Sequence, residues 1–301
     1  MDIGWLVELL NELNEPILWA LPVFVVFTVV EIVSLHVLRH DEDAAGYGVR
    51  DSVTSLTMGV GYLVVNVVWR VVALAVYAVI YQYSPLRLDP GDWWVWLVLV
   101  IGDDLCFYAY HRSSHRIRLM WASHVAHHSS VRLNFTTALR QKWVPMFMLP
   151  FWIPLAALGI PPWMIFVAMS WNLTYQFFLH TERVGRLPRW VEFVFNTPSH
   201  HRVHHGSDAE YLDRNYGGIF IVWDRLFGSF ADETRRPTYG LTTNIDTYNP
   251  FRVAFHEFAA LGRDLRGSRG WRERLGYTFG PPGWRPGSPA QYQNPETDPA
   301  G

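Results

Sequence analysis

Cysteine is almost missing from this chain: among 301 residues there is one, Cys106, set in an apolar run. A lone thiol excludes an intramolecular disulfide and the cysteine-rich sites that hold structural zinc or iron–sulfur clusters. Charge is scarce too. Asp, Glu, Lys and Arg make up 17% of the residues, against about 25% in ordinary soluble domains. The net charge of −2 offers no basic excess for binding nucleic acid, so no such partner is expected. Before the first long apolar run stand Asp2, Glu8, Glu12 and Glu15 but no Lys or Arg. Without a basic leader or cleavage site, that run reads as a retained helix rather than a signal peptide.

What the chain has is hydrophobic length. Half of its residues are hydrophobic and 16% are aromatic, with 15 Trp and 14 Tyr suited to a lipid–water boundary. Runs long enough to cross about 30 Å of hydrocarbon cover 17–38, 56–81 with Arg70 inside, and 93–110 with Asp103 and Asp104 inside. From Trp143 to Leu179 no residue is charged; Gly159, Pro161 and Pro162 break this stretch into two spans or a re-entrant hairpin. Arg70 and Glu31 are costly in lipid and point to buried pairing or a polar cavity. The expected fold is all-α: a polytopic membrane helix bundle of four to five spans with a cytoplasmic histidine-rich cap. Arg112, Arg116, Arg118, Arg132, Arg140 and Lys142 follow the third run, and Arg183, Arg186 and Arg189 follow the last. By the positive-inside rule the N-terminus faces outside, with the histidines and C-terminus in the cytoplasm. Three portions are expected: N-terminal spans over 1–92, a catalytic domain over 93–245, and a peripheral portion over 246–301. The last comprises a surface helix near 250–265, with Phe251, Phe255 and Phe258 on one side, and a Pro/Gly-rich tail.

Ten of the 13 histidines fall between His111 and His205. His111 and His115 stand four apart and share a helical face. His124, His127 and His128 form HxxHH, a spacing that projects from one side of a helix; His201, His204 and His205 repeat it, with His200 alongside. His180 ends the last apolar run. His36, His40 and His256 read as ordinary satisfied residues. Imidazole binds iron, zinc, copper and nickel, and three such groups exceed the needs of one ion, so two ions are expected. Two zinc ions that activate water would make a membrane hydrolase. A metal transporter would place its ion near the bilayer midplane, whereas these clusters follow the spans.

The ordered set HRSSH (111–115), HVAHHS (124–129) and HHRVHHG (200–206) resembles the fatty acid hydroxylase or sterol desaturase superfamily, and within it the alkylglycerol monooxygenases. WASHVAHHSS (121–130), TALRQ (137–141), YQFFLHTE (175–182), NTPSHHRVHHG (196–206), NYGG (215–218), WDRLFGSF (223–230) and YGLT (239–242) carry the same likeness. It implies a membrane enzyme that oxidises a lipid with O2 at two irons. His111, His115, His124, His127, His128, His201, His204 and His205 would be iron ligands, and His180 a further ligand or close neighbour. His200 is a candidate to orient a ligand. Asp104, two helical turns before His111, is placed to accept a ring N–H and fix its tautomer, or else bonds another helix. Glu182 and Asp224 are similar candidates. Arg116 stands where similar animal members carry an acidic residue; those members use tetrahydrobiopterin, and the replacement puts pterin use in doubt. No C-x-x-C-H haem-attachment sequence and no convincing dinucleotide fingerprint occur, so electrons are expected from an external donor.

Overall fold

The computed structural model describes residues 16–37 and 46–287. Among the described residues three helices are long and apolar enough to cross a membrane: α1 (Pro16–Val37), α2 (Val49–Tyr83) and α3 (Trp93–Arg116). The 35 residues of α2 extend about 52 Å at 1.5 Å per residue, well beyond a hydrocarbon layer of about 30 Å. Its N-terminal turns therefore stand in the polar part, where Asp51, Thr54 and Ser55 are buried. Val60, Val64, Val67 and Val68 are more than half exposed along its middle, an apolar stripe suited to lipid rather than water.

The uncharged stretch after Trp143 does not give another helix of spanning length. It forms a 3-10 turn (Pro145–Met148), α6 (Leu149–Ala157) and α7 (Pro162–Phe177). At 9 and 16 residues these reach only about 14 and 24 Å, so they make a helical hairpin. Gly159 turns it with φ +85°, a conformation that favours glycine, and its carbonyl accepts from Leu88 N at 3.0 Å. The hairpin packs on α2 and α3, while α1 packs on α7. Tyr77, Leu99, Trp152, Ile160 and Met164 fill the core between them.

The polar portion is made of short helices: α4 (Arg118–His128), α5 (Phe135–Ala138), α8 (Arg189–Val194), α9 (Pro198–His204) and α10 (Val222–Leu226). Two more follow, α11 (Pro250–Gly267) and α12 (Trp271–Phe279). No strand occurs among the described residues, only the isolated bridges Phe195–Phe220 and Gly206–Tyr239. The all-α expectation holds. As the sequence suggested, α11 is a surface helix: Val253, Ala254 and Leu261 are buried, while Phe251 and Phe255 pack against Trp143. Glu31 in α1 ties three parts together, accepting from the Tyr47 hydroxyl, Phe135 N and the Thr181 hydroxyl. His40 and residues 288–301 of the tail lie outside the described residues.

Candidate metal centre

The last two turns of α3 carry His111 and His115, and α4 follows after one residue with His124, His127 and His128. Pro198 opens α9, whose Thr197 cap accepts from His200 N; the helix brings in His201 and His204 and ends at His205. His180 lies just beyond α7. All nine imidazoles are buried and they converge in two groups. His111, His115, His124, His128 and His204 form one; His127, His180, His201 and His205 form the other. In each, nitrogens able to bind a metal lie within 4.8 Å of one another.

Helical geometry explains this sorting. Residues i and i+4 share a face, whereas consecutive residues point about 100° apart. The pairs His111/His115, His124/His128 and His201/His205 each stay within one group. His127 and His204 point aside, and each crosses to the group headed by the other helix. The two groups share a wall, where the His128 and His205 rings stack with centroids 4.5 Å apart.

Backbone carbonyls fix the ring tautomers. Nδ1 of His111 donates to Tyr216 O at 2.9 Å, that of His180 to Gln176 O at 2.8 Å and that of His204 to Arg214 O at 3.0 Å. His127 Nδ1 donates to Arg140 O at 3.3 Å, and His115 Nδ1 lies 3.4 Å from Asp213 Oδ1. A carbonyl only accepts, so in a neutral ring each corresponding Nε2 is left as a bare lone pair. Yet His180 Nε2 faces His127 Nε2 at 3.2 Å and His201 Nε2 at 3.0 Å, and His201 Nε2 faces His205 Nε2 at 3.1 Å. In the other group His124 Nε2 faces His111 Nε2 at 2.9 Å and His128 Nε2 at 3.2 Å. His115 Nε2 and His204 Nε2 are buried without a hydrogen-bond partner.

Converging lone pairs repel unless a cation lies between them. Two imidazoles at right angles on one ion, each about 2.1 Å from it, hold their nitrogens about 3.0 Å apart. The observed separations fit a metal in each group. Burial pushes His124, His127, His128, His201, His204 and His205 well below the usual 6.5, and neighbouring imidazoles push the same way. His180 is lowered to about 4, again by burial. Neutral rings are what metal ligation needs.

Asp104 is not the tautomer-fixing partner expected for His111. Its carboxylate accepts from Ile219 N at 2.6 Å, Phe220 N at 2.9 Å, Trp223 Nε1 at 3.0 Å and Asn172 Nδ2 at 3.0 Å. Asp224 accepts from Tyr216 N and Gly217 N, both at 2.8 Å, and from Ser229 Oγ at 2.7 Å. The two carboxylates thus clamp the 216–220 loop from both ends, and the loop supplies the carbonyl that holds His111. Gly218 lets this loop come close: a Cβ there would lie 2.5 Å from Asn172 Oδ1 and 2.6 Å from Asp104 Oδ1. His200 does not join the cluster either; it faces Glu192 Oε2 at 3.2 Å and Phe230. Glu182 binds Arg236 and the Tyr239 hydroxyl, away from the clustered histidines.

Sequence reasoning missed the carbonyls of Tyr216, Arg140, Gln176 and Arg214, because a carbonyl leaves no mark in a sequence. It also missed Arg140, whose side chain binds Asp51, Ser55 and Ser129 in the buried layer beside α4. His256, read as an ordinary core residue, lines a cavity of about 320 Å³ that reaches His115, His128, His204 and His205. Asp213, Glu257, Ser207, Thr242 and Thr243 give that cavity its polar wall.

A helical membrane frame whose emerging ends gather nine buried imidazoles into two adjoining metal-binding groups defines a class. Residues 96–229 match the fatty acid hydroxylase family. Over 245 residues it is 40% identical to alkylglycerol monooxygenase of Xenopus tropicalis, covering 80% of this chain and 54% of that protein. It is 35% identical over 285 residues to alkylglycerol monooxygenase of Homo sapiens, covering 94% and 63% respectively. For that of Danio rerio the values are 38% over 281 residues, 93% and 62%. The chain therefore spans less than two thirds of the length of these relatives. No solved structure matches it. The spanning-length helices together with this kinship make it a membrane protein.

Proposed function

We propose that this chain is a membrane oxygenase that holds two irons on its nine clustered histidines and uses O2 to hydroxylate a C–H bond of a lipid. The observation that carries the proposal is the facing of imidazole lone pairs at 2.9–3.2 Å in two adjoining groups. Iron is preferred to zinc because the relatives are named monooxygenases and zinc has no redox chemistry. Their name further suggests an alkylglycerol ether as substrate. The five-histidine group would hold one iron and the four-histidine group the other. When bound, two ferrous ions supply electrons that make O2 reactive toward an unactivated C–H bond.

Lipid C–H, O2, two electrons and two protons give C–OH and water. Beside an ether oxygen the product is a hemiacetal, which collapses to a fatty aldehyde and a free glycerol hydroxyl. The protein's own part is positional. Backbone carbonyls hold each ring in the tautomer that presents Nε2, and burial keeps competing protons away. The 320 Å³ cavity opens on four of the histidines, and Ser207, Thr242 and Thr243 give it a polar wall. Residues 93–245 form the catalytic portion in this reading. Arginines beyond α3 and the hairpin support a reading in which the histidines and C-terminus face the cytoplasm and the N-terminus faces outside.

The two electrons come from a donor outside the chain. Arg116, whose Nε donates to the Tyr216 hydroxyl at 3.3 Å and lies 4.0 Å from Asp213 Oδ2, puts a cation beside the cavity. The test is elemental analysis of protein loaded anaerobically with ferrous iron, followed by turnover of hexadecylglycerol under isotopically labelled O2. Two irons per chain and aldehyde release that requires O2 are expected. Lipid cleavage that proceeds without O2 on zinc-loaded protein would replace the oxygenase with a hydrolase.

A further inference from the structure

We infer that a chamber on the membrane side of the histidine groups receives an anionic lipid head group, a phosphate or a carboxylate. As an assignment of substrate class, this rests on the oxygenase reading above. The chamber has a volume of about 70 Å³ and lies between α2, α3, α6, α7 and the segment after α5. Asn66, Arg70, Gln141, Lys142, Asn172 and Gln176 supply its polar lining; the remaining lining residues include no Asp or Glu. One water needs about 10–15 Å³ and a whole drug-sized ligand about 300–1,000 Å³, so the space suits a compact head group rather than a chain.

Lys142 is the telling residue. It is nine-tenths buried, at 9% exposure, and its ammonium lies 5.1 Å over the Tyr110 ring. Among the described residues it has no hydrogen bond and no ion pair. The buried Tyr110 hydroxyl also has no hydrogen-bond partner. A buried cation without an anion is expensive, and the nearby carboxylates are already committed. Asp103 accepts from Trp152 Nε1 and Asn172 Nδ2, and Asp104 holds the 216–220 loop. Arg70 brings a second cation to the same lining, within 3.4 Å of Ser170 Oγ and 5.5 Å of the Phe166 ring centre. An acceptor-rich anion would satisfy this wall as no neutral head can.

The chamber also borders the metal centre. Phe107 lines it and packs on His111 at 5.1 Å between ring centres. Gln176 lines it and holds His180 through its carbonyl. Lys142 is close enough to repel protons from His124 and His127. A head group seated here sets the first carbons of its chain beside both histidine groups.

The test is equilibrium binding, under anaerobic conditions, of three lipids to the full-length iron-loaded protein in detergent. Hexadecyl lysophosphatidate carries a phosphate, palmitate a carboxylate, and hexadecylglycerol neither. At least one anionic lipid should bind about tenfold or more tighter than hexadecylglycerol, the scale of one charge-assisted contact. Which anionic lipid does so separates phosphate from carboxylate. Lys142→Met should erase the preference and Lys142→Arg should keep most of it, with iron content measured alongside. If Lys142→Met does not fold or load iron, Arg70→Met is read for the same loss. Equal binding of neutral and anionic lipids, or a preference that survives the charge-removing variant, overturns the inference. The oxygenase reading fails separately, if the anionic lipid binds as described and none of the three supports O2 consumption.

Discussion

Asp224 offers the sharpest test of how the five-histidine group is held. It is wholly buried and touches no histidine, yet both N–H groups at the start of the 216–220 loop donate to it. Replacing it with alanine strands those two N–H groups and leaves the Ser229 hydroxyl with the Tyr108 hydroxyl. Each buried N–H left without an acceptor costs about 1–3 kcal/mol, so the loop loses about 2–6 kcal/mol from the backbone alone. Tyr216 then no longer presents its carbonyl firmly to His111 Nδ1, and loss of such an orienting partner costs about 10–100-fold in metal affinity. The four-histidine group is oriented by Arg140 and Gln176 instead. Asp224→Ala should therefore retain one tightly held iron and lose the other, while Asp224→Asn, which keeps one acceptor oxygen, should fall between. The assay is iron stoichiometry after graded chelation, with far-ultraviolet circular dichroism as the check on folding. Two irons held as firmly as in the parent protein would refute the route through the loop.

His180→Ala should reduce the four-histidine group to three and release one iron. His200→Ala, remote from both groups, should keep two; elemental analysis of the pair checks the contrast. A methyl at Gly218 must displace Asn172 or Asp104, an overpacking that costs about 1–3 kcal/mol, so Gly218→Ala should lower thermal stability and iron content together. The metal-free protein should weaken in acid. Its buried imidazoles stay neutral while the unfolded chain takes up protons below about 6.5, so stability is full above that pH and falls as pH drops through it. For His180 alone, a fall from 6.5 to about 4 is worth about 3 kcal/mol. Near-ultraviolet circular dichroism of metal-free protein between pH 8 and pH 5 reads this, and a signal constant across the range would contradict it.

The histidines were legible because a metal site built on helices must use a spacing of three or four, and that spacing survives in the sequence. The assignment of each ring to a group was not. His127 and His128 are neighbours in HxxHH, and only the relative rotation of α4 and α9 sends them to different groups. Spacing left Asp104 two roles, holding His111 along its own helix or bonding another; the structure takes the second, because the carboxylate reaches across to Asn172, Trp223 and the 216–220 loop. The long apolar runs located α1, α2 and α3 to within a few residues at their starts or ends, except where α2 continues into the polar part. There hydropathy falls while the helix goes on, because Asp51 and Ser55 have Arg140 as partner. The break at Gly159–Pro162 was visible as a break; the short helices on either side of it, 9 and 16 residues long, were not.

Carbonyl partners also set the electrostatics of the centre. Where a carboxylate orients an imidazole it also cancels part of the metal's charge; a carbonyl orients the ring and cancels none. Here His111, His127, His180 and His204 all lean on carbonyls, and one carboxylate, Asp213, stands beside His115 and near His204. Two divalent ions held by nine neutral rings would leave almost all of their charge uncompensated, with Lys142 adding to it from the membrane side. Such a field favours anions at the open edges of the site. It would also raise the cost of leaving the site without an anion, so the affinity for an anionic lipid head should be greater in the iron-loaded protein than in the metal-free one. A head-group affinity that is indifferent to iron would mean that the chamber and the histidine groups are electrostatically insulated from each other.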